Sequence, residues 1–142
     1  MSTEVIVYVL TALAAVVVVL TRMRLGRGES GAGRINVPGR LLTLHTVVGV
    51  LALLAWLVFL LGGNALGEST AGIVGIVALA FWWVVVVVGL LILVRWLPSR
   101  GKHAADGTAD SWSEGPGLSV LAHIGMLVGV AVFTWAYLVN AV

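Results

Sequence analysis

Cysteine is absent from the chain, which excludes disulfides, thiolate metal sites, covalent haem attachment through CxxCH and lipoprotein acylation. Charge is scarce: 10% of residues are Asp, Glu, Lys or Arg, against about a quarter in soluble domains. The three prolines, Pro38, Pro98 and Pro116, all fall outside the apolar runs, so no proline-broken helix offers a transporter-type substrate site. No Asp or Glu lies within those runs either, which removes the intramembrane carboxylate that a proton relay needs. No nucleophile and base stand at helix spacing in a polar context. The chain is not expected to transport or catalyse by itself.

What fills the sequence is apolar surface, 61% of all residues, and this places the chain in the lipid bilayer. Four runs stand out, Val5 to Leu20, Leu41 to Leu61, Ala71 to Val94 and Leu118 to Val139, none with a charged residue. A helix needs roughly 20 residues to cross about 30 Å of hydrocarbon. The last three runs suffice, and the first reaches that length with flanking polar residues and snorkelling arginines. Glu4 precedes the first run and arginines follow it, the reverse of a signal peptide, so a retained helix is expected. The expected fold is a single all-α domain over 1–142, with four transmembrane helices at about 3–21, 41–61, 71–94 and 118–139. The nine-residue turn Gly62–Thr70 makes helices two and three antiparallel neighbours, with Glu68, Ser69 and Thr70 placed to cap the third.

The basic residues decide the expected topology. Arg22, Arg24, Arg27, Arg34 and Arg40 lie in the loop 22–40, and Arg95, Arg100 and Lys102 in the loop 95–117; the tails and the short turn carry none. By the positive-inside rule both long loops are cytoplasmic and both termini lie outside the cell membrane. The helices then form two hairpins side by side. The basic pI has its explanation in this topology, and nucleic acid is not an expected partner. Arginine outnumbers lysine seven to one and Val, Leu and Ala dominate, a usage suited to a GC-rich genome such as an actinobacterial one.

The aromatic residues divide by depth. Trp96, Thr134, Trp135 and Tyr137 fall where an interfacial belt is expected. Trp82 and Trp83 fall near mid-membrane, where an indole N–H seeks an acceptor on another helix or a bound group. Trp112 and His103 lie in the second polar loop; the tryptophan suggests a contact with a membrane surface or another protein, and the histidine reads as solvated. Gly125 and Gly129 share one face of the fourth helix and permit close approach of a neighbouring helix.

The stretch GRLLTLH, Gly39 to His45, returns as GLSVLAH, Gly117 to His123. Each places a histidine six residues after a glycine that closes a polar loop, and the two halves of the chain align on these histidines as an internal duplication. Helices two and four start on the same side, so His45 and His123 lie in one plane, ~7.5 Å inside the charged boundary at Arg40. An ionisable side chain within the membrane is by default a functional-site hypothesis. Two level histidines suit the axial ligation of haem b, each ring giving one nitrogen to iron and its other N–H to an acceptor such as Thr43, Thr46 or Ser119. Gly49 and Gly125 would leave room for a porphyrin, and Arg40 and Arg95, with Arg100 and Lys102, stand where propionates would emerge. The same pair also reads as structural, or as an incomplete metal site lacking carboxylate or thiolate.

In helix count and histidine pair the chain resembles the small four-helix membrane b-type cytochromes grouped around cytochrome b561. That resemblance implies haem b held by His45 and His123 and electron exchange with a quinone or a partner redox centre. A single shallow pair does not carry electrons across a bilayer alone, so a partner is needed. The small extra subunits of respiratory assemblies are similar in size and hydropathy. The leading expectation is an accessory subunit of a larger membrane complex without catalysis of its own, and the bis-histidine cytochrome is the alternative.

Overall fold

Four α-helices, with no strand among the described residues, make up the computed structural model, which describes residues 1–26, 39–96 and 116–142. They are α1 (Thr3–Gly26), α2 (Gly39–Leu66), α3 (Glu68–Trp96) and α4 (Pro116–Leu138). Three stretches are long and apolar enough to cross a membrane, Arg40–Gly62, Glu68–Val94 and Val120–Leu138; a shorter apolar stretch covers Thr3–Val19. β-branched runs such as Val84 to Val88, poor helix formers in water, are helical here because lipid gives the backbone no partner except itself. Of the expected polar loops 22–40 and 95–117, the ends 22–26, 39–40, 95–96 and 116–117 are helical, and 27–38 and 97–115, with Arg27, Arg34, Val37, Pro38, Arg100, Lys102, His103 and Trp112, lie outside the described residues. So do the side chains of Arg22, Arg24, Arg95, Trp96 and Ser119.

The turn expected over Gly62–Thr70 is one residue long. α2 continues through Gly62, Gly63 and Asn64 to Leu66, Gly67 alone breaks it, and α3 begins at Glu68. Gly67 has φ 76°, in the left-handed region that a side chain would make costly. Its carbonyl accepts the Ala71 N–H at 3.0 Å, the first bond of α3, so Gly67 rather than Glu68, Ser69 or Thr70 is the cap. Glu68 sits in the first turn, near the positive end of the helix dipole. The physical reason for the short link is bond satisfaction: every further open residue would add unpaired backbone groups at the membrane boundary. The far end of α4 closes comparably, with Asn140 at φ 51° and the Ala141 N–H returning to the Ala136 carbonyl at 2.9 Å, a Schellman-type stop.

Contact partners fix the helix directions. Between α2 and α3 they are His45 with Gly89, Gly49 with Val85 and Phe59 with Gly75; one number rises as the other falls, so these helices are antiparallel. Between α3 and α4 the same holds for Gly89 with His123, Trp83 with Thr134 and Gly72 with Tyr137. α2 and α4 instead meet at His45/His123, Trp56/Phe133 and Phe59/Tyr137, pairs separated by 78, 77 and 78 positions. They are parallel, in the register at which the two Gly-to-His stretches align in the sequence.

The largest buried side chains lie toward the end of the bundle away from the histidines, while on α3 burial continues to their level and past it through Val85, Val86, Val88 and Leu93. Trp56, Trp82, Phe133, Val7 and Val130 are its largest fully buried side chains. Trp56 stacks on Phe133 with centroids 4.8 Å apart, and Trp82 tilts against the same ring at 6.0 Å. Because lipid is as apolar as leucine, such helices associate through packing and hydrogen bonds rather than the hydrophobic effect. Three polar ties serve this: Trp56 Nε1 donates to Thr11 Oγ1 at 3.1 Å, Trp83 Nε1 to Thr134 Oγ1 at 3.1 Å, and Tyr137 Oη to the Gly72 carbonyl at 2.9 Å. Trp83 is partly exposed, whereas the Trp82 indole N–H is buried without a partner. Toward the histidine end burial thins on α1, α2 and α4, though not on α3. The last buried position on α1 among the described side chains is Ala14, the first on α2 is Gly49 and the first on α4 is Gly129.

Candidate functional site

His45 projects from the first turns of α2 and His123 from those of α4, and the parallel register of the two helices carries them to one level. Both are half-buried. Their ring centroids are 6.2 Å apart and the planes differ by 19°. At this angle the two imidazoles are stacked rings at one level of the bundle.

One ring nitrogen lacks a partner. His45 Nδ1 is buried and makes no hydrogen bond, a condition that costs about 1–3 kcal/mol for a buried polar group. The neighbouring hydroxyl of Thr46 donates to the Leu42 carbonyl at 2.9 Å, so its proton is committed within α2. Arg40 is exposed at the start of α2, and Arg95 belongs to the last turn of α3.

The third wall of the site is Gly89 of α3. A Cβ at that position would stand 2.8 Å from His123 Cδ2, 3.2 Å from His123 Nε2 and 3.1 Å from His45 Cε1. Real side chains essentially never sit so close, and only glycine lets the α3 backbone lie against both imidazoles. Nothing in the sequence around Gly89 marks it, since it is a lone glycine between Val88 and Leu90. Its importance comes from what two other helices place against it.

Gly49, Gly125 and Gly129 are less crowded. A Cβ at Gly49 would meet only Val85, at 3.9 Å, and one at Gly125 or Gly129 would meet nothing within 4 Å. The close approach that small residues permit occurs on α3, at Gly89 and at Gly75, where a Cβ would lie 2.7 Å from Tyr137 and 3.0 Å from Phe59. No group of three or more His, Cys, Asp or Glu side chains comes together among the described residues, so the histidines form a pair rather than part of a larger ligand set. No protein-family model, curated protein or solved structure matches this chain.

Proposed function

We propose that the chain is an integral membrane protein whose His45 and His123 are the two protein ligands of one metal atom, and that it belongs to the electron-transfer class. The observation that carries this is the imidazole pair itself, held by parallel helices at 6.2 Å between centroids with one buried nitrogen unpartnered. Imidazole is a good ligand for iron and copper, the metals with one-electron couples. A zinc site would call for four ligands, which a histidine pair does not supply. Metal analysis of the purified protein, with its visible spectrum recorded oxidised and reduced, tests the reading. A protein without stoichiometric metal after expression in supplemented medium, and without a spectrum, would end it.

Haem b was the natural group for two axial histidines, because the porphyrin brings the other four nitrogens. The donor set suits it; the space does not. A porphyrin surrounds its iron on every side in the plane between the imidazoles, and on the α3 side the Gly89 backbone fills that plane. Haem b therefore does not fit these helices as they stand, and a propionate role for Arg40, Arg95, Arg100 or Lys102 rests on α3 withdrawing from the pair.

Topology belongs to the same proposal. Eight basic residues in two loops against none elsewhere favour two hairpins with both loops in the cytoplasm and both termini outside. The metal pair then lies near the cytoplasmic face of the cell membrane, within reach of a quinone or a partner's redox centre.

A second reading has its own support. Gly125 is exposed, and a Cβ there would meet nothing within 4 Å, as befits an accessory subunit that packs this side of α4 against a larger assembly, plausible candidates being respiratory complexes. Mild-detergent purification from the native membrane tests it: a discrete larger complex is expected, and isolation of the chain alone at every step would count against it.

A further inference from the structure

We infer that the basic end of the bundle binds one anionic phospholipid, its phosphate between Arg40 of α2 and Arg95 of α3 and its acyl chains along the apolar stripes of those two helices. The register of the helix pair sets the level. From Gly49 against Val85 to His45 against Gly89 is four positions back on α2 and four forward on α3, and five more bring Arg40 level with Val94, beside Arg95. α2 contains no Asp or Glu, and the one in α3, Glu68, lies in its first turn, about 40 Å along the helix from Arg95. Two cations at one level on touching helices repel each other unless an anion joins them.

What selects a lipid over a free anion is the surface that continues from these charges. Arg40 is itself exposed and heads the outward stripe of α2, where Leu44, Val47 and Leu51 follow it at helical spacing and are exposed. On α3, Val87 and Leu91 are exposed, and Arg95 follows Leu91 by four positions. Charge and hydrocarbon surface thus come in the order in which a phospholipid presents phosphate and chains. Guanidinium pairs with two phosphate oxygens at once. A zwitterionic headgroup would bring a further cation to the same place, so the fit is to a lipid of net negative charge. Neither arginine is needed to hold the histidine pair, so the inference is independent of the metal reading.

The test uses the full chain, delipidated in non-ionic detergent and titrated with phosphatidylglycerol or with phosphatidylcholine of the same acyl chains, bound lipid being counted by native mass spectrometry. One phosphatidylglycerol per chain should bind at least about tenfold more tightly than phosphatidylcholine. Arg40→Gln and Arg95→Gln should each weaken phosphatidylglycerol about fivefold, the worth of one basic residue beside an anionic headgroup, and leave phosphatidylcholine unchanged. Arg40→Lys and Arg95→Lys keep the charge and most of the binding, and circular dichroism establishes that each variant is folded. Arg34→Gln removes the same charge from the 27–38 stretch and should leave the preference in place. Equal affinity of the parent chain for the two lipids, or a loss in Arg34→Gln as large as in Arg40→Gln, overturns the inference. Displacement of the lipid by inorganic phosphate or by an acidic peptide at matched concentration would assign the charges to a free anion or a protein, and overturn it equally.

Discussion

The indole N–H of Trp56 donates to the Thr11 hydroxyl at 3.1 Å, and that hydroxyl donates in turn to the Val7 carbonyl at 2.8 Å. All of this is buried, and it is the polar tie between α1 and α2. Thr11→Val keeps the shape and removes the acceptor, leaving a buried indole N–H. Intramembrane hydrogen bonds average about 0.6 kcal/mol and reach about 1.7, so a loss of about 1 kcal/mol is expected in reversible unfolding from detergent. Thr134→Val, whose indole partner Trp83 is part-exposed, should cost less. Equal losses would show that burial is not what gives the Thr11 bond its weight.

Gly75→Ala and Gly89→Ala both press a methyl group into side chains nearer than 3.0 Å. Overpacking of this kind costs about 1–3 kcal/mol. If the bis-histidine reading holds, the two separate in their second readout: Gly75→Ala strains Tyr137 and Phe59 and leaves metal binding intact, while Gly89→Ala parts the imidazoles and weakens it. Retained wild-type metal affinity in a folded Gly89→Ala protein would mean that α3 is not the wall of the site.

At Gly67 the strain is conformational. Any side chain there must occupy φ 76°, and a left-handed residue costs about 1–2 kcal/mol unless it is glycine. Gly67→Ala should lower stability by about 1 kcal/mol and Gly67→Asn by less, since Asn tolerates this region. Thermal unfolding of the two variants measures the order, and Asn at least as harmful as Ala would contradict it.

Gly125→Ala, at an exposed position, meets open space and should leave the isolated chain within about 0.5 kcal/mol of the parent. If the accessory-subunit reading holds, the same substitution reduces the amount of larger complex recovered from the native membrane. Co-purification yield is the quantity to compare.

The lack of native cysteine makes topology directly measurable. Single cysteines at Ser30 and Ser111 should react with a membrane-impermeant thiol reagent only when the cytoplasmic side is exposed, and cysteines at Ser2 and Asn140 only from outside. Labelling of Ser2→Cys and Ser30→Cys from one side would remove the proposed orientation.

Much of the helical layout was legible because lipid imposes one rule on every residue: apolar runs of sufficient length must be helical. The pairing of His45 with His123 was legible for a related reason, since two helices entering from one side with equal spacing carry their side chains to equal depth. Gly89, Thr11 and Gly67 were not. Spacing along one helix reveals only that helix's own faces, so the crowded glycines, the isolated Gly75 and Gly89, carry no signal of their own. The turn was misjudged because Gly62, Gly63 and Asn64 are helix stoppers in water, where an opened backbone is hydrated; near lipid the helix continues until a single left-handed glycine reverses it.

The one-residue link at Gly67 also bears on kinetics. At that end the chain itself holds α2 to α3, while side-chain bonds hold α4 there, Tyr137 to the Gly72 carbonyl and Trp83 to Thr134. Loss of those two bonds should free the outer end of α4 before α2 and α3 part.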